Sequence, residues 1–292
     1  MAILGDGGVL VAPPACTPAL YGLMSVVEIE DQAEGHWQTG IEYELETCED
    51  IFVMTPKCNG VDVRADVVKD TTGGTVSSDN YSDPFTMVSA YKCSTGGRPI
   101  EESWEHAEER LKRNEARTLE RTFWVGKDIQ NNVIRQSLGN NPDAIDLTPL
   151  LGSVNIADGI AALEYWAGEN YPCQPVLHTN RGITTYLAER GIAGPDGKVL
   201  RNKGTGTPIV AGGGYTKSGP ASAAAVAGKS WIYVTGALKV LRSPVFFTPE
   251  RGNKGAAVDR SINDVVVFAE RTYAIQQDCI VAAIQVNEGF GA

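Results

Sequence analysis

The chain has 292 residues, 42% of them hydrophobic and 21% charged, enough apolar content for one large folded domain or two modest ones and too little charge for a disordered chain. Its net charge of −11 argues against a surface built to grip nucleic-acid phosphates. No apolar run approaches the ~20 residues of a bilayer span, and the glycine-broken start lacks the basic segment of a signal peptide.

Residues 1–35 read as an extended arm. Gly7, Gly8, Pro13, Pro14 and Pro18 discourage regular structure before Tyr21, and the segment has little to pack on within its own chain. Acidity concentrates at this end: residues 1–60 hold ten Asp and Glu against one base, Lys57. Residues 36–98 read as a long β-excursion. Gly40 to Glu46 alternates apolar and acidic side chains, as a half-exposed strand does. Pro84 to Tyr91 is expected to return beside it, with Thr71–Thr75 and the polar stretch Ser77–Ser82 as loop. Such an excursion is hard to stabilise alone and is better supported by another chain.

Residues 99–139 hold the strongest helix. Ile100, Trp104, Ala107, Leu111, Leu119 and Phe123 form one apolar stripe, and Glu108/Lys112 and Glu109/Arg113 are i,i+4 pairs in the favourable order. Residues 140–228 read as compact α/β, with helices over Asn155–Trp166 and Asn180–Arg190 and a buried strand over Thr207–Ala211. Residues 229–292 read as almost wholly β. Trp231–Thr235 is expected to pair with Ala237–Leu241 around Gly236, and Asp264–Arg271 with Ala274–Val286.

Patterns that suggest chemistry fail their context. Ala223 to Ser230 resembles a phosphate-binding loop, but its first position is Ala, and a strand rather than a helix follows. Gly204-Thr205-Gly206 and Gly212-Gly213-Gly214 match no dinucleotide fingerprint and read as turns. Glu42, Glu44 and Glu46 share a strand face without a positioned partner and read as solvated charge on a strand edge. His178, beside Thr179 and Asn180, reads as a helix-start residue, since no nucleophile signature accompanies it. The aromatic residues Trp37, Trp104, Phe123, Trp124, Trp166 and Trp231 read as core and interface filling. His36, His106 and His178 are too dispersed in sequence for a metal motif. The six cysteines, Cys16, Cys48, Cys58, Cys93, Cys173 and Cys279, lack any C-x-x-C pair and read as free thiols. No catalytic, cofactor-binding or metal-ligating residue is assigned, and the chain reads as non-enzymatic.

Four stretches carry a family resemblance. They are Tyr21–Val27 with His36–Gly40; Glu115–Gly126; Pro208–Tyr215 running to Trp231–Gly236; and Ala269–Ala274 running to Ala282-Ala283. In this order, with the sequence of regions described above, they resemble the major capsid proteins of tailed bacteriophages of the actinobacterial type. Residues 48–84 match nothing in that family.

The resemblance implies an α+β chain with the Hong-Kong-97-type capsid fold. In its terms residues 1–35 are the N-terminal arm, 36–98 the E-loop, 99–139 the spine helix of the P-domain, 140–228 the A-domain-like region and 229–292 the C-terminal strands of the A- and P-domains. It implies a structural subunit without cofactor that self-assembles into hexamers and pentamers. These would form an icosahedral head enclosing double-stranded DNA without sequence-specific contacts, assembled in the host cytoplasm and carried in the virion. Scaffolding, portal and decoration proteins are the partners such a subunit meets, and membranes are not. The chain reaches the arm almost at once, so any scaffold is expected as a separate protein. Some members crosslink subunits by a Lys–Asn isopeptide bond; Lys69 is a donor candidate, and no Asn partner is assigned. An encapsulin-type compartment shares the fold and is the alternative reading; an α/β enzyme using the carboxylates or glycine loops is a third.

Overall fold

The computed structural model describes residues 17, 19–32, 36–45, 77–94, 99–141 and 143–289. Expectations placed on residues 46–76, including Glu46, Lys69 and the Thr71–Thr75 loop, lie outside them, as do Cys16, Cys48 and Cys58. Four strands open the described chain: β1 (Glu28–Asp31), β2 (Ile41–Leu45), β3 (Ser77–Ser82) and β4 (Phe85–Ser94).

Helix α1 (Ile100–Val125) follows, and its 26 residues extend about 39 Å at the usual rise. Glu101 and Glu102 in its first turn complement the positive end of the helix dipole. It stops at Gly126, which takes a left-handed conformation with φ of 67° and donates its N–H to Thr122 O at 2.8 Å. The Asn140 amide then caps the carbonyls of Val125 and Gly126 at 2.9 and 2.8 Å. Its buried face carries Trp104, Ala107, Leu111, Glu115, Leu119, Glu120, Phe123 and Trp124, two carboxylates among them.

After α1 come β5 (Ile145–Asp146), β6 (Val154–Asn155) and α2 (Ile156–Asn170), whose N-cap Asn155 accepts from Asp158 N–H. Next are β7 (Val176–Asn180), α3 (Arg181–Glu189), β8 (Ala193–Asp196), β9 (Val199–Asn202) and β10 (Pro208–Gly212). The chain closes with β11 (Lys229–Thr235), β12 (Leu238–Arg242), β13 (Phe246–Thr248), a single helical turn α4 (Lys254–Ala257), β14 (Val258–Asp259), β15 (Asp264–Gln277) and β16 (Val281–Asn287).

Two main sheets result. In the first, the long β15 pairs with β12, β13, β14 and β4, and β1 adds to β12 in parallel. The first half of α1 packs on it, placing Trp104, Ala107 and Leu111 in one core with Val265, Val267 and Tyr273. The second sheet has the order β5-β16-β11-β7-β10-β9-β8, with β6 also on β16. Helices α2 and α3 cover one face, burying Leu163, Ile183 and Leu187 against Leu177, Ile209 and Ile232. The end of α1 covers the other face, where Leu119, Phe123 and Trp124 share a core with Val176, Val210 and Tyr233. Because both faces are covered, β10 is buried at all five positions and its sequence shows no polar alternation. β2 and β3 form a separate hairpin leaning on β15: the Tyr43 hydroxyl donates to Gln277 O at 2.9 Å and accepts from Gln277 N–H at 3.0 Å.

The helices fall where the sequence places them, within a few residues. The strand partners do not. β11 and β12 do not pair; the chain passes from the second sheet to the first through Gly236 and Ala237. The expected Asp264–Arg271/Ala274–Val286 pair is instead one strand, β15, continuing to Gln277 in the first sheet, while β16 lies in the second. β2 pairs with Ser77–Ser82, which is strand rather than loop, and Phe85–Ser94 pairs with β15. The end of the arm also packs on its own chain. Leu23 is fully buried, and β1 is hydrogen-bonded to β12.

Candidate functional site: a buried polar junction and two exposed edges

The two sheets and the turn at Leu23–Ser25 meet at α1. Glu120 lies on the buried face of that helix and ties two segments to it. Its Oε1 accepts from Leu23 N–H at 3.0 Å and its Oε2 from Gly214 N–H at 2.9 Å. Burial pushes its carboxyl above the ordinary value despite these donors and the nearby Arg181 charge. The approach requires glycine at 214: a Cβ there would stand 2.1 Å from Arg117 O in the helix backbone. Five residues earlier on α1, Glu115 Oε1 accepts from Arg242 and Arg271 at 3.2 and 3.1 Å, and Arg242 also grips Asp31 at 2.7 and 3.1 Å. These bonds join α1 to β12, β15 and β1.

His178 sits inside β7, not at a helix start; Asn180 is the cap of α3, accepting from Ile183 N–H. It is wholly buried, with Nδ1 2.9 Å from the Tyr215 hydroxyl and Nε2 2.9 Å from Thr235 Oγ1. Thr235 spends its own proton on Gly236 O, so Nε2 carries the hydrogen and Nδ1 accepts from Tyr215. Burial lowers the imidazole pKa to about 3 and raises the Tyr215 phenol well above its usual range. Phe123 packs edge-on against the ring, 5.7 Å between centroids. This neutral, fully bonded imidazole has no approach for a substrate; its geometry is that of a core residue.

Lys229 and Ser230, the end of the phosphate-loop look-alike, begin strand β11, and no helix opens there. Ser230 Oγ instead donates to Glu288 at 2.5 Å, and Glu288 holds Lys217 at 2.7 Å. Gly204 and Gly206 lie in the β9–β10 turn; Gly212 ends β10, and Gly213 and Gly214 lead away toward α1. Glu42 is exposed on β2, and the side chains of Glu44 and Glu46 lie outside the described residues, as does that of His36. Trp104 and Trp124 are core residues, each with its indole N–H bonded to a carbonyl, of Pro249 and Ser218 respectively, at 3.1 Å. Cys93 and Cys173 are free, but Cys279 is disulfide-bonded, which corrects the expectation of free thiols throughout. The scattered spacing of cysteines in sequence carries no information about approach in space. Among the described residues, no three His, Cys, Asp or Glu are grouped to hold a metal, and no helix is long and apolar enough to cross a membrane.

The surface carries two kinds of feature. A trough of 1180 Å³ runs between α1, β4 and residues 127–134, lined by both polar and apolar side chains such as Arg110, Asn114, Thr118 and Val88. Exposed apolar side chains occur on the loop between β5 and β6, where Leu150 and Leu151 are 108% and 103% exposed.

No protein-family model matches the chain, and no curated protein matches it in sequence. Solved structures do match its fold. The capsid chain of an empty GTA particle aligns with 96% of this chain and 94% of its own length, at 13% identity and a TM-score of 0.53. A chain from Gordonia phage Cozz aligns over 96% and 91%, at 11% identity and a TM-score of 0.52. The capsid of Ralstonia phage GP4 aligns over 97% and 95%, at 7% identity and a TM-score of 0.51. The fold is the Hong-Kong-97-type capsid fold, with mixed helix and sheet matched along nearly the whole chain.

Proposed function

We propose that this chain is the major capsid subunit of a tailed bacteriophage, a structural protein whose copies form hexamers and pentamers that close into an icosahedral head around double-stranded DNA. The observation that carries this reading is the end-to-end likeness to capsid chains, over 96–97% of this chain and 94–95% of theirs. Fold likeness alone leaves function open, and the buried groups add to it. Three side chains perturbed by burial, His178, Glu120 and Tyr215, are spent on holding α1, the second sheet and the Leu23 turn together, a scaffold's use of polar groups.

In this reading residues 1–35 are the arm, 36–98 the E-loop, 99–139 the spine, 140–228 the A-domain and 229–292 strands shared between A- and P-domains. The β2–β3 hairpin is the base of the E-loop. The subunit resides in the virion after assembly in the host cytoplasm, where scaffolding, portal and decoration proteins are its partners.

Electron microscopy and sedimentation of the expressed chain, alone and with its scaffold, test the proposal. Capsomers or closed shells are expected, and particles purified from a lysate should contain this chain as their principal protein. Shells filled with a protein cargo and no genome would replace the phage reading by the compartment reading. A chain that stays monomeric with its scaffold and is absent from virions would overturn both.

A further inference from the structure

The second sheet ends in two edges of opposite character. On one side, β5, the loop 147–153 and the start of α2 carry Asp143, Asp146 and Asp158, all exposed. Not one Lys or Arg occurs between Arg135 and Arg181. On the other side, the end of α3 and the β8–β9 hairpin carry Arg190, Lys198, Arg201 and Lys203 against Glu189 and Asp196, the latter paired with Arg201.

The acidic edge also presents a preformed apolar tip. Gly152 N–H donates to Pro149 O at 2.8 Å, closing a turn whose two central residues are Leu150 and Leu151. The loop is pinned on both sides, by Leu147 N–H to Ala283 O at 2.8 Å and by Ser153 Oγ to Asn287 Oδ1 at 2.7 Å. Two leucines held rigidly in water gain nothing for the isolated subunit, whereas a pocket on a partner would remove them from water at little ordering cost. Next to β9, where the ends of β7 and β10 meet the start of β12, lies a recess of 240 Å³ bordered by Val176, Val199, Pro208 and Leu238, with Arg201 as its cation.

We propose that copies of this chain dock head to tail through these two edges, the Leu150–Leu151 turn of one copy seating in the recess beside β9 of the next. The inference rests on the shell reading and names the contact that builds its rings. The occupant is a second copy because the acidic edge that carries the leucines and the basic edge are opposite in charge and lie at opposite ends of one sheet. A contact between different patches of identical chains repeats by rotation and closes a ring, without requiring a two-fold axis. The charges steer and orient the approach, and the leucines anchor it.

The test compares wild type with Leu150→Asp/Leu151→Asp and with Lys198→Glu/Lys203→Glu, by sedimentation and electron microscopy under conditions in which wild type assembles. Both pairs are exposed, so far-UV circular dichroism and melting temperature should match wild type. The assembled fraction should fall about tenfold or more in each. Adding Asp143→Lys/Asp158→Lys to the lysine variant should restore assembly, because the swapped charges again face opposite partners. Folded leucine and lysine variants that assemble as wild type does would overturn the edge pairing while leaving the shell reading intact. Failure of the charge swap to restore assembly would likewise count against the pairing of these edges. A wild-type chain that forms no capsomer under any condition would remove the shell reading and this contact with it.

Discussion

Acidification should destabilise the fold through His178. In an unfolded chain imidazole titrates near its ordinary value of 6.5, whereas in the fold its pKa is about 3 because the ring is wholly buried. Between those values the unfolded state takes up a proton that the folded state refuses. Stability therefore falls as pH drops below 6.5, by about 1.4 kcal/mol per pH unit, and the loss ends near pH 3. At pH 5 the loss from this one residue is about 2 kcal/mol, a substantial part of a domain stability of about 5–15 kcal/mol. Urea denaturation of unassembled subunit, followed by tryptophan fluorescence at pH 7.5 and pH 5, measures it. Trp124 reports on the site, its ring centroid 4.6 Å from that of the Tyr215 that bonds the imidazole. His178→Gln, which has no proton to gain, should be less stable at pH 7.5 but lose about 2 kcal/mol less on acidification than wild type. Asp31 and Asp83, whose arginine partners lower their pKa, weaken the fold in acid in both proteins, so the difference isolates the histidine. Equal losses in the two proteins would refute the assignment of a neutral, buried imidazole.

Other perturbations follow from the same junction. Glu120→Ala leaves two buried N–H donors without partners and should cost about 2–6 kcal/mol in urea denaturation, Glu120→Gln about half as much. Because burial raises the Glu120 pKa, its ionisation opposes folding. The Glu120→Gln deficit should be largest in acid and shrink as pH rises from 4.5 through the raised folded value. Gly214→Ala drives a methyl group into the α1 backbone and should cost about 1–3 kcal/mol or lower soluble yield sharply, measured by thermal melting and expression. Replacing residues 46–76 by a short turn should leave the subunit folded, because Leu45 and Ser77 are register partners and Tyr43 and Ser82 anchor the hairpin base to β15. Assembly should then fail by electron microscopy, while circular dichroism of the subunit remains that of wild type.

Much of this was legible in the amino-acid order, and the rest was hidden for identifiable reasons. The 3.6-residue period of α1 and the cap residues Asn155 and Asn180 are local signals, and the helices lie close to where they point. Partner choice between strands is not local. β11 and β12 are separated only by Gly236 and Ala237, yet they diverge into different sheets, β11 finding its partners in β7 and β16 and β12 in β1 and β15. Ser77–Ser82 has turn composition and is strand because β2 supplies its ladder. The buried carboxylates left a trace that periodicity could have revealed: Glu115 falls four residues after Leu111 and four before Leu119, on the apolar stripe itself. An acid at a core position announces a buried partner, although which arginines answer it depends on tertiary packing. His178 gave no such sign, since its bonding partners lie 37 and 57 residues away.

The placement of β15 and β16 has a consequence for the order of synthesis. One is the central strand of the first sheet and the other separates β5 from β11 in the second, yet they follow every other described strand in chain order. Until residues 264–287 emerge from the ribosome, β4 and β12 have no shared neighbour and β11 lacks one of its ladders. A nascent chain therefore exposes open strand edges and holds neither sheet complete. A chain truncated before Val281 leaves the second sheet split, with β5 and β6 detached from the rest. Only a chain that includes β16 can therefore hold both edges of the second sheet in register with its centre.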